Sequence, residues 1–138
     1  MIILYKITEF GTKMDKVSAV VGAKAMIMDN DNNLFYTIGK DVYVFDGHGV
    51  KKVDGLPVKY EYMKMTRPPY ILESGLPIII DGDVYIAYSN GTSIDSGVTV
   101  SLKTTAFSVE GTFIFYFAHD KKIYEYNFIA HLLNAMFD

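Results

Sequence analysis

One pattern of apolar and polar positions occurs three times along the chain. An apolar run is followed by a short polar turn and then by a second run that contains Val-Tyr or Ile-Tyr. The pattern occupies residues 34–45, 77–88 and 113–126. It recurs about every 40 residues, which indicates a repeated structural unit. After the first turn, successive side chains alternate between two faces with the two-residue period of a β-strand. Each unit is therefore predicted to contain an antiparallel hairpin.

Turn chemistry supports these hairpins. Gly39 stands at the first turn, and Asp81-Gly82 at the second is a dipeptide favoured by tight two-residue turns. The third turn, at residues 119–121, lacks glycine and is expected to be longer. The run at residues 78–80 is Ile-Ile-Ile and does not alternate, which predicts a strand buried on both faces.

Flanking segments extend the hairpins into four-stranded meanders. Residues 25–28 and 50–53 are predicted to add the outer strands of the first unit, and residues 98–102 the fourth strand of the second. Residues 33–47 resemble the middle of a β-propeller blade. Residues 65–75 and 103–111 more loosely resemble a strand of propeller-like tail and neck proteins of viruses. The resemblance implies blade-like repeats and a viral structural role.

Three units are fewer than the roughly four to eight blades of a closed propeller. Either several chains complete one ring, or the repeats form an ordinary sandwich or barrel. An α+β arrangement is a third alternative. The predicted fold class is all-β, with antiparallel hairpin or meander repeats in one domain of residues 1–138. The predicted units are residues 25–54, 62–102 and 105–126, followed by a short helix at residues 127–138.

The C-terminal segment changes to helical periodicity, with Asn127 at the N-cap position. Such a helix either closes over its own core or docks on another subunit. Its apolar stripe is the candidate oligomer interface and consists of Phe128, Ile129, Leu132, Leu133, Met136 and Phe137.

The amino-acid composition and net charge limit the functions that the chain can have. The formal net charge is −3, which makes nucleic acid an unlikely partner overall. One stretch, residues 51–67, nevertheless alternates lysines with Tyr60 and Tyr62, a pattern that suits either a single nucleic-acid strand or a solvated strand face. The absence of cysteine excludes disulfides and thiolate chemistry. Neither a signal peptide nor a membrane-spanning run is apparent, so we expect synthesis in the cytoplasm and no membrane partner.

No residues are assigned to catalysis, a cofactor or a metal. The run Asp29-Asn-Asp-Asn-Asn begins like a calcium loop, but Leu34 and Lys40 replace the required glycine and glutamate, which favours a capped polar turn. The three histidines, His48, His119 and His131, lack metal-ligand spacing. The aspartates are mostly turn residues, so we expect a non-enzymatic protein.

The sequence therefore predicts a structural or assembly protein that forms a homo-oligomer or a larger protein assembly. The resemblance implies a viral structural or accessory component, which would then be located in the virion. The alternative is a β-type module that binds a peptide, glycan or nucleic acid through its turn loops.

Overall fold

The protein is all-β, as predicted. A computed structural model describes residues 4–17, 22–69, 72, 74–100, 102–109 and 114–127. These residues form thirteen strands in four antiparallel sheets, with one short 3₁₀ turn at Glu9–Gly11. The predicted helix and all six residues of the candidate oligomer interface lie outside the described residues. Asn127, the predicted N-cap, is the last residue of a strand.

Successive strands are neighbours throughout, so each sheet is a hairpin or a meander. The N-terminal hairpin consists of β1 (Leu4–Thr8) and β2 (Lys13–Val17). The first sheet consists of β3 (Ala25–Met28), β4 (Leu34–Ile38), β5 (Asp41–Phe45) and β6 (Val50–Lys52). The second sheet consists of β7 (Met63–Met65), β8 (Leu76–Ile80), β9 (Asp83–Ala87) and β10 (Ser93–Thr99). The third sheet consists of β11 (Ala106–Val109), β12 (Ile114–His119) and β13 (Lys122–Asn127).

The three predicted hairpins are β4–β5, β8–β9 and β12–β13. The second turn uses Asp81 and Gly82, both at positive φ (48° and 96°). The expectation of a longer third turn was wrong. His119 pairs with Lys122, so only Asp120 and Lys121 connect the strands, and both adopt positive φ (48° and 61°). Two-residue hairpins need this left-handed backbone because it matches the twist of the strands, even without glycine.

The fourth strand of the second sheet begins earlier than predicted. β10 starts at Ser93 instead of residue 98 and contains a register shift between Asp95 and Thr99. Gly97 lies inside this irregularity at φ 79°. A bulge lets residues of turn-like composition stay within a strand, so the local composition indicated a loop where the sheet continues.

The second sheet packs between the other two meanders. Its contact with the first sheet is a buried cluster that includes Phe35, Val42, Val44, Leu76, Ile78, Ile80 and Ala87. Its contact with the third sheet is a cluster of Ile79, Val84, Val98, Val100, Val109 and Phe115. The sheets therefore stack face to face in the order first, second, third.

The isoleucine run at residues 78–80 confirms the prediction of a doubly buried strand. All three side chains are at most 1% exposed. Ile78 and Ile80 join the cluster facing the first sheet, and Ile79 joins the cluster facing the third. Because successive side chains of a strand point to opposite faces, an unbroken apolar run is what a sheet with two covered faces requires.

Candidate functional site

A cleft of about 530 Å³ lies between β3 of the first sheet and β7 of the second. Each is an edge strand of its sheet, so backbone groups along the cleft have no hydrogen-bonded neighbouring strand in the part of the chain that the structure describes. We call it the edge-strand cleft. Its lining consists of Lys24, Ala25, Met26, Ile27, Thr37, Gly39, Lys40, Tyr60, Glu61, Tyr62, Met63, Lys64 and Met65.

The ladder geometry of β7 shows which backbone groups face outward. Asp81 donates its N–H to the Tyr62 carbonyl (3.1 Å), and Thr66 donates to the Pro77 carbonyl (3.2 Å). These bonds place the even-numbered residues of β7 toward β8. Because an antiparallel ladder alternates, Met63 and Met65 direct their N–H and C=O groups away from β8. The cleft thus offers backbone donors and acceptors along one wall.

The side chains of Lys40 and Tyr60 join the turn after β4 to the loop before β7 by hydrogen bonds. The Lys40 ammonium donates to the Tyr60 carbonyl at 2.7 Å, and the Tyr60 hydroxyl donates to the Lys40 carbonyl at 2.8 Å. The same ammonium lies 4.9 Å from the centre of the Tyr60 ring. Burial raises the pKa of Tyr60 above its ordinary value, and the carboxylates of Asp41 and Asp81 raise it further. The hydroxyl therefore stays protonated as the donor.

A carboxylate fixes the other half of the same loop. Asp81 accepts the backbone N–H groups of Glu61 (2.9 Å) and Tyr62 (3.0 Å). Charge-assisted bonds of this kind are about twice as strong as neutral ones. Contacts from Lys40 of the first sheet and Asp81 of the second sheet therefore fix the cleft wall at residues 60–62.

The basic stretch at residues 51–67 does not form one surface. Lys64, Tyr60 and Tyr62 line the edge-strand cleft, where Lys24 and Lys40 join them from the first sheet. Lys52 instead pairs with Asp41 on the first sheet at 3.4 Å. Lys24 and Lys40 were missed because nothing local in the sequence links them to residues 60–64. Only the stacking of the two sheets brings them together.

The stack also has two outer faces. The first-sheet end face contains the side chains that point away from the second sheet. Asp41 and Lys52 are its charged members, and its apolar and aromatic members are Met26, Met28, Leu34, Tyr36, Ile38, Tyr43, Phe45 and Val50. Ala23 packs here with Leu34 and Tyr36, and the rings of Tyr36 and Tyr43 stack with centroids 5.6 Å apart. Met28, Ile38 and Val50 remain exposed.

The third-sheet end face lies at the opposite end of the stack. It carries Ala106, Ser108, Ile114, Tyr116, Ala118, Ile123, Glu125 and Asn127. Ile123 is 80% exposed. Among the described residues, none of the three buried clusters includes a member of this face. The two ends of the stack thus present different surfaces.

The N-terminal hairpin exposes apolar side chains as well. Ile7 pairs with Met14 across the two strands, and Tyr5 lies on the same face; all three are exposed. Phe10 at the tip is fully exposed and adopts a positive φ of 55°. A lone two-stranded hairpin is only marginally stable in water.

The acidic loop after β3 is a capped turn, as predicted. Asp29 is buried and accepts the N–H groups of Asp31 (2.9 Å) and Asn33 (2.8 Å) and the side-chain amide of Asn33 (2.9 Å). Its oxygens are therefore used within the loop. In the part of the chain that the structure describes, no three His, Cys, Asp or Glu side chains cluster as metal ligands.

The described histidines lie apart. His48 follows Asp46, whose carboxylate accepts the N–H groups of His48 and Gly49 at 2.8 and 2.9 Å. His119 ends β12 and forms a hydrogen bond with the Lys103 carbonyl at 2.6 Å. His131 lies outside the described residues.

No protein-family model matches this chain, and a search of curated proteins finds no significant match. The described residues contain no helix long and apolar enough to cross a membrane. The candidate binding surfaces are the edge-strand cleft, the two end faces and the N-terminal hairpin.

Proposed function

We propose that this protein is a non-enzymatic structural protein that self-associates by continuing its stack of sheets from one copy to the next. The observation that carries the proposal is the set of apolar side chains that stay exposed on the two end faces, namely Met28, Ile38 and Val50 on the first sheet and Ile123 on the third. The resemblance to viral tail and neck proteins supports a viral structural or accessory role.

A second copy is the occupant that fits these faces. Inside the chain, sheets already pack face to face through apolar clusters, and the third-sheet end face would meet the first-sheet end face in the same manner. The two faces differ, so the contact is head-to-tail, which closes into a ring when the rotation permits. Two copies would supply six meander sheets, within the roughly four to eight blades of a propeller.

Two further features support association. The N-terminal hairpin exposes Tyr5, Ile7, Phe10 and Met14, which need a covering surface. The candidate oligomer interface follows in sequence directly after β13 of the third sheet, which ends at Asn127.

The test is the solution mass of Ile123→Glu and Val58→Glu by light scattering after size exclusion. Val58 is a matched control, since it is 79% exposed but lies in the loop between the first and second sheets. We expect the wild type and Val58→Glu to form the same discrete oligomer and Ile123→Glu to dissociate, because a buried unpaired carboxylate is costly. A wild type that stays monomeric at all concentrations contradicts the proposal.

The second candidate is a β-type binding module, which the edge-strand cleft favours. Its wall is formed mainly by strand edges and the loop at residues 60–62, with the turn at Gly39 and Lys40. Binding there does not require association, because the cleft follows strand edges and most of its lining lies off the end faces.

A further inference from the structure

We propose that the edge-strand cleft binds a nucleotide unit, a phosphate with a planar base, either as a free nucleotide or within a single strand. This inference goes beyond the structural role and does not depend on it. Four properties of the cleft support it: its size, its charge, its apolar surface and its rigidity.

The size of the cleft suits a ligand of this class. Its volume of about 530 Å³ falls within the range of roughly 300–1,000 Å³ that small-molecule sites occupy. Outward-facing N–H and C=O groups at Met63 and Met65 are available to a ligand that has both donors and acceptors. The edges of a nucleobase carry both.

The charge of the cleft is positive in a protein that is negative overall. Lys24, Lys40 and Lys64 line it, against the carboxylate of Glu61 in the lining and that of Asp81, which is bonded to the N–H groups of residues 61 and 62. Among the residues that the structure describes, no carboxylate forms an ion pair with Lys24 or Lys64. Lys40 donates one hydrogen to the Tyr60 carbonyl, which leaves two of its three for a ligand. These lysines therefore favour a ligand that carries negative charge.

The remaining lining suits a flat apolar body. Met63 and Met65 line the cleft, partly buried against the cluster between the first and second sheets, and thioethers make favourable contacts with aromatic rings. Tyr60 and Tyr62 also line the cleft and are half-buried, and bases stack on aromatic side chains of this kind. A plain inorganic anion would leave these groups unused.

The cleft is held in place before any ligand binds. The Lys40–Tyr60 pair of hydrogen bonds and the Asp81 carboxylate fix residues 60–62 against both sheets. Pre-formed geometry reduces the entropy lost on binding. The lysines of the wall therefore need little rearrangement beyond their side chains.

The test measures binding of three probes at low salt by calorimetry: adenosine monophosphate, a short single-stranded oligothymidylate and inorganic pyrophosphate. The variant Lys24→Gln/Lys64→Gln removes two charges from the cleft. The matched control, Lys51→Gln/Lys122→Gln, removes two charges from exposed positions outside its lining.

We expect a nucleotide-containing probe to bind the wild type, with pyrophosphate much weaker. The cleft variant should lose about tenfold or more in affinity, because it removes two positively charged hydrogen-bond donors from the cleft. For the oligonucleotide, the salt slope should also fall by about 1 to 2. The control should stay within about twofold of the wild type.

The outcomes are distinguishable. Tight mononucleotide binding supports a free nucleotide as the source, and binding of the oligonucleotide alone supports a single strand. Equal losses in both variants, equal binding of pyrophosphate, or no binding of any probe would overturn the proposal. The oligomeric state of the cleft variant, measured in parallel, shows whether self-association holds independently.

Discussion

At the residue scale, Gly82 satisfies two constraints at one turn. Its φ is 96°, and a Cβ at this position would lie 2.5 Å from the Val100 carbonyl oxygen. The chain approaches so closely because Val100 donates its N–H to the Gly82 carbonyl at 2.6 Å. Gly39 also adopts a positive φ, 61°, but a Cβ there meets nothing within 4 Å.

The two glycines therefore form a matched pair for mutation. Gly39→Ala should cost about 1 kcal/mol through left-handed backbone strain alone. Gly82→Ala should cost more than about 2 kcal/mol, because the clash with Val100 adds to that strain. Urea unfolding of both variants measures the difference. Equal losses of stability in the two variants would mean that the close approach of Gly82 to Val100 does not contribute to the cost of the substitution.

Three tyrosines with raised pKa values predict a loss of stability in alkali. Burial raises the pKa values of Tyr36, Tyr60 and Tyr85 above the ordinary 10.0, and neighbouring Tyr43 or aspartate side chains add to the shift. A raised folded-state pKa gives stabilisation that is complete below the unfolded value. It is lost as the pH rises from about 10 through the folded-state values.

The measurement is the urea midpoint as a function of pH, with tyrosinate absorbance followed in parallel. Tyr60→Phe removes one of the three groups and should make the alkaline decline shallower. An unchanged decline in this variant would show that Tyr60 ionises in the folded protein as it does in the unfolded chain.

At the element scale, β8 determines how the sheets stack. Ile78 and Ile80 contact the first sheet, whereas Ile79 contacts the third, so one short strand contributes to both apolar clusters. Edge strands β3 and β7, in contrast, leave backbone groups along the edge-strand cleft. The central strand stabilises the fold, and the edges are available for binding.

The difference between the buried central strand and an exposed edge strand can be tested with a pair of substitutions. Ile79→Ala should destabilise the protein by about 2–5 kcal/mol, because it opens a cavity in a fully buried cluster. Ile94→Ala on β10, where the side chain is 53% exposed, should change stability by no more than about 0.5 kcal/mol. Chemical denaturation compares them. Similar values would mean that the third sheet does not pack against the second as described.

At the scale of the whole molecule, the candidate oligomer interface predicts the effect of a truncation. Removal of residues 128–138 should lower the oligomeric state and leave the β-type circular dichroism largely intact, because the described strands of the three stacked sheets all lie before residue 128. Light scattering and circular dichroism are measured on the same sample. If the truncated protein unfolds, the tail belongs to its own core, and association must depend on the end faces alone.

Local chemistry accounts for what could be predicted from the sequence. Two-residue alternation identified the hairpins, Asp81-Gly82 identified a tight turn, and the isoleucine run identified a strand covered on both sides. Asp29 was correctly assigned to a capped turn, since its partners lie within four residues. Each of these features depends on contacts between close neighbours in the chain, or on burial that the apolar pattern itself specifies.

Tertiary structure alone decided the features that join distant segments. The register of β12 and β13 limits the third turn to Asp120 and Lys121. A bulge in β10 allows Gly97 to lie within that strand. Stacking brought Lys24 and Lys40 beside Lys64 to form the edge-strand cleft. The physical reason is that periodicity encodes which face of a strand is buried, whereas the packing of whole sheets determines which buried faces meet and which edges stay open.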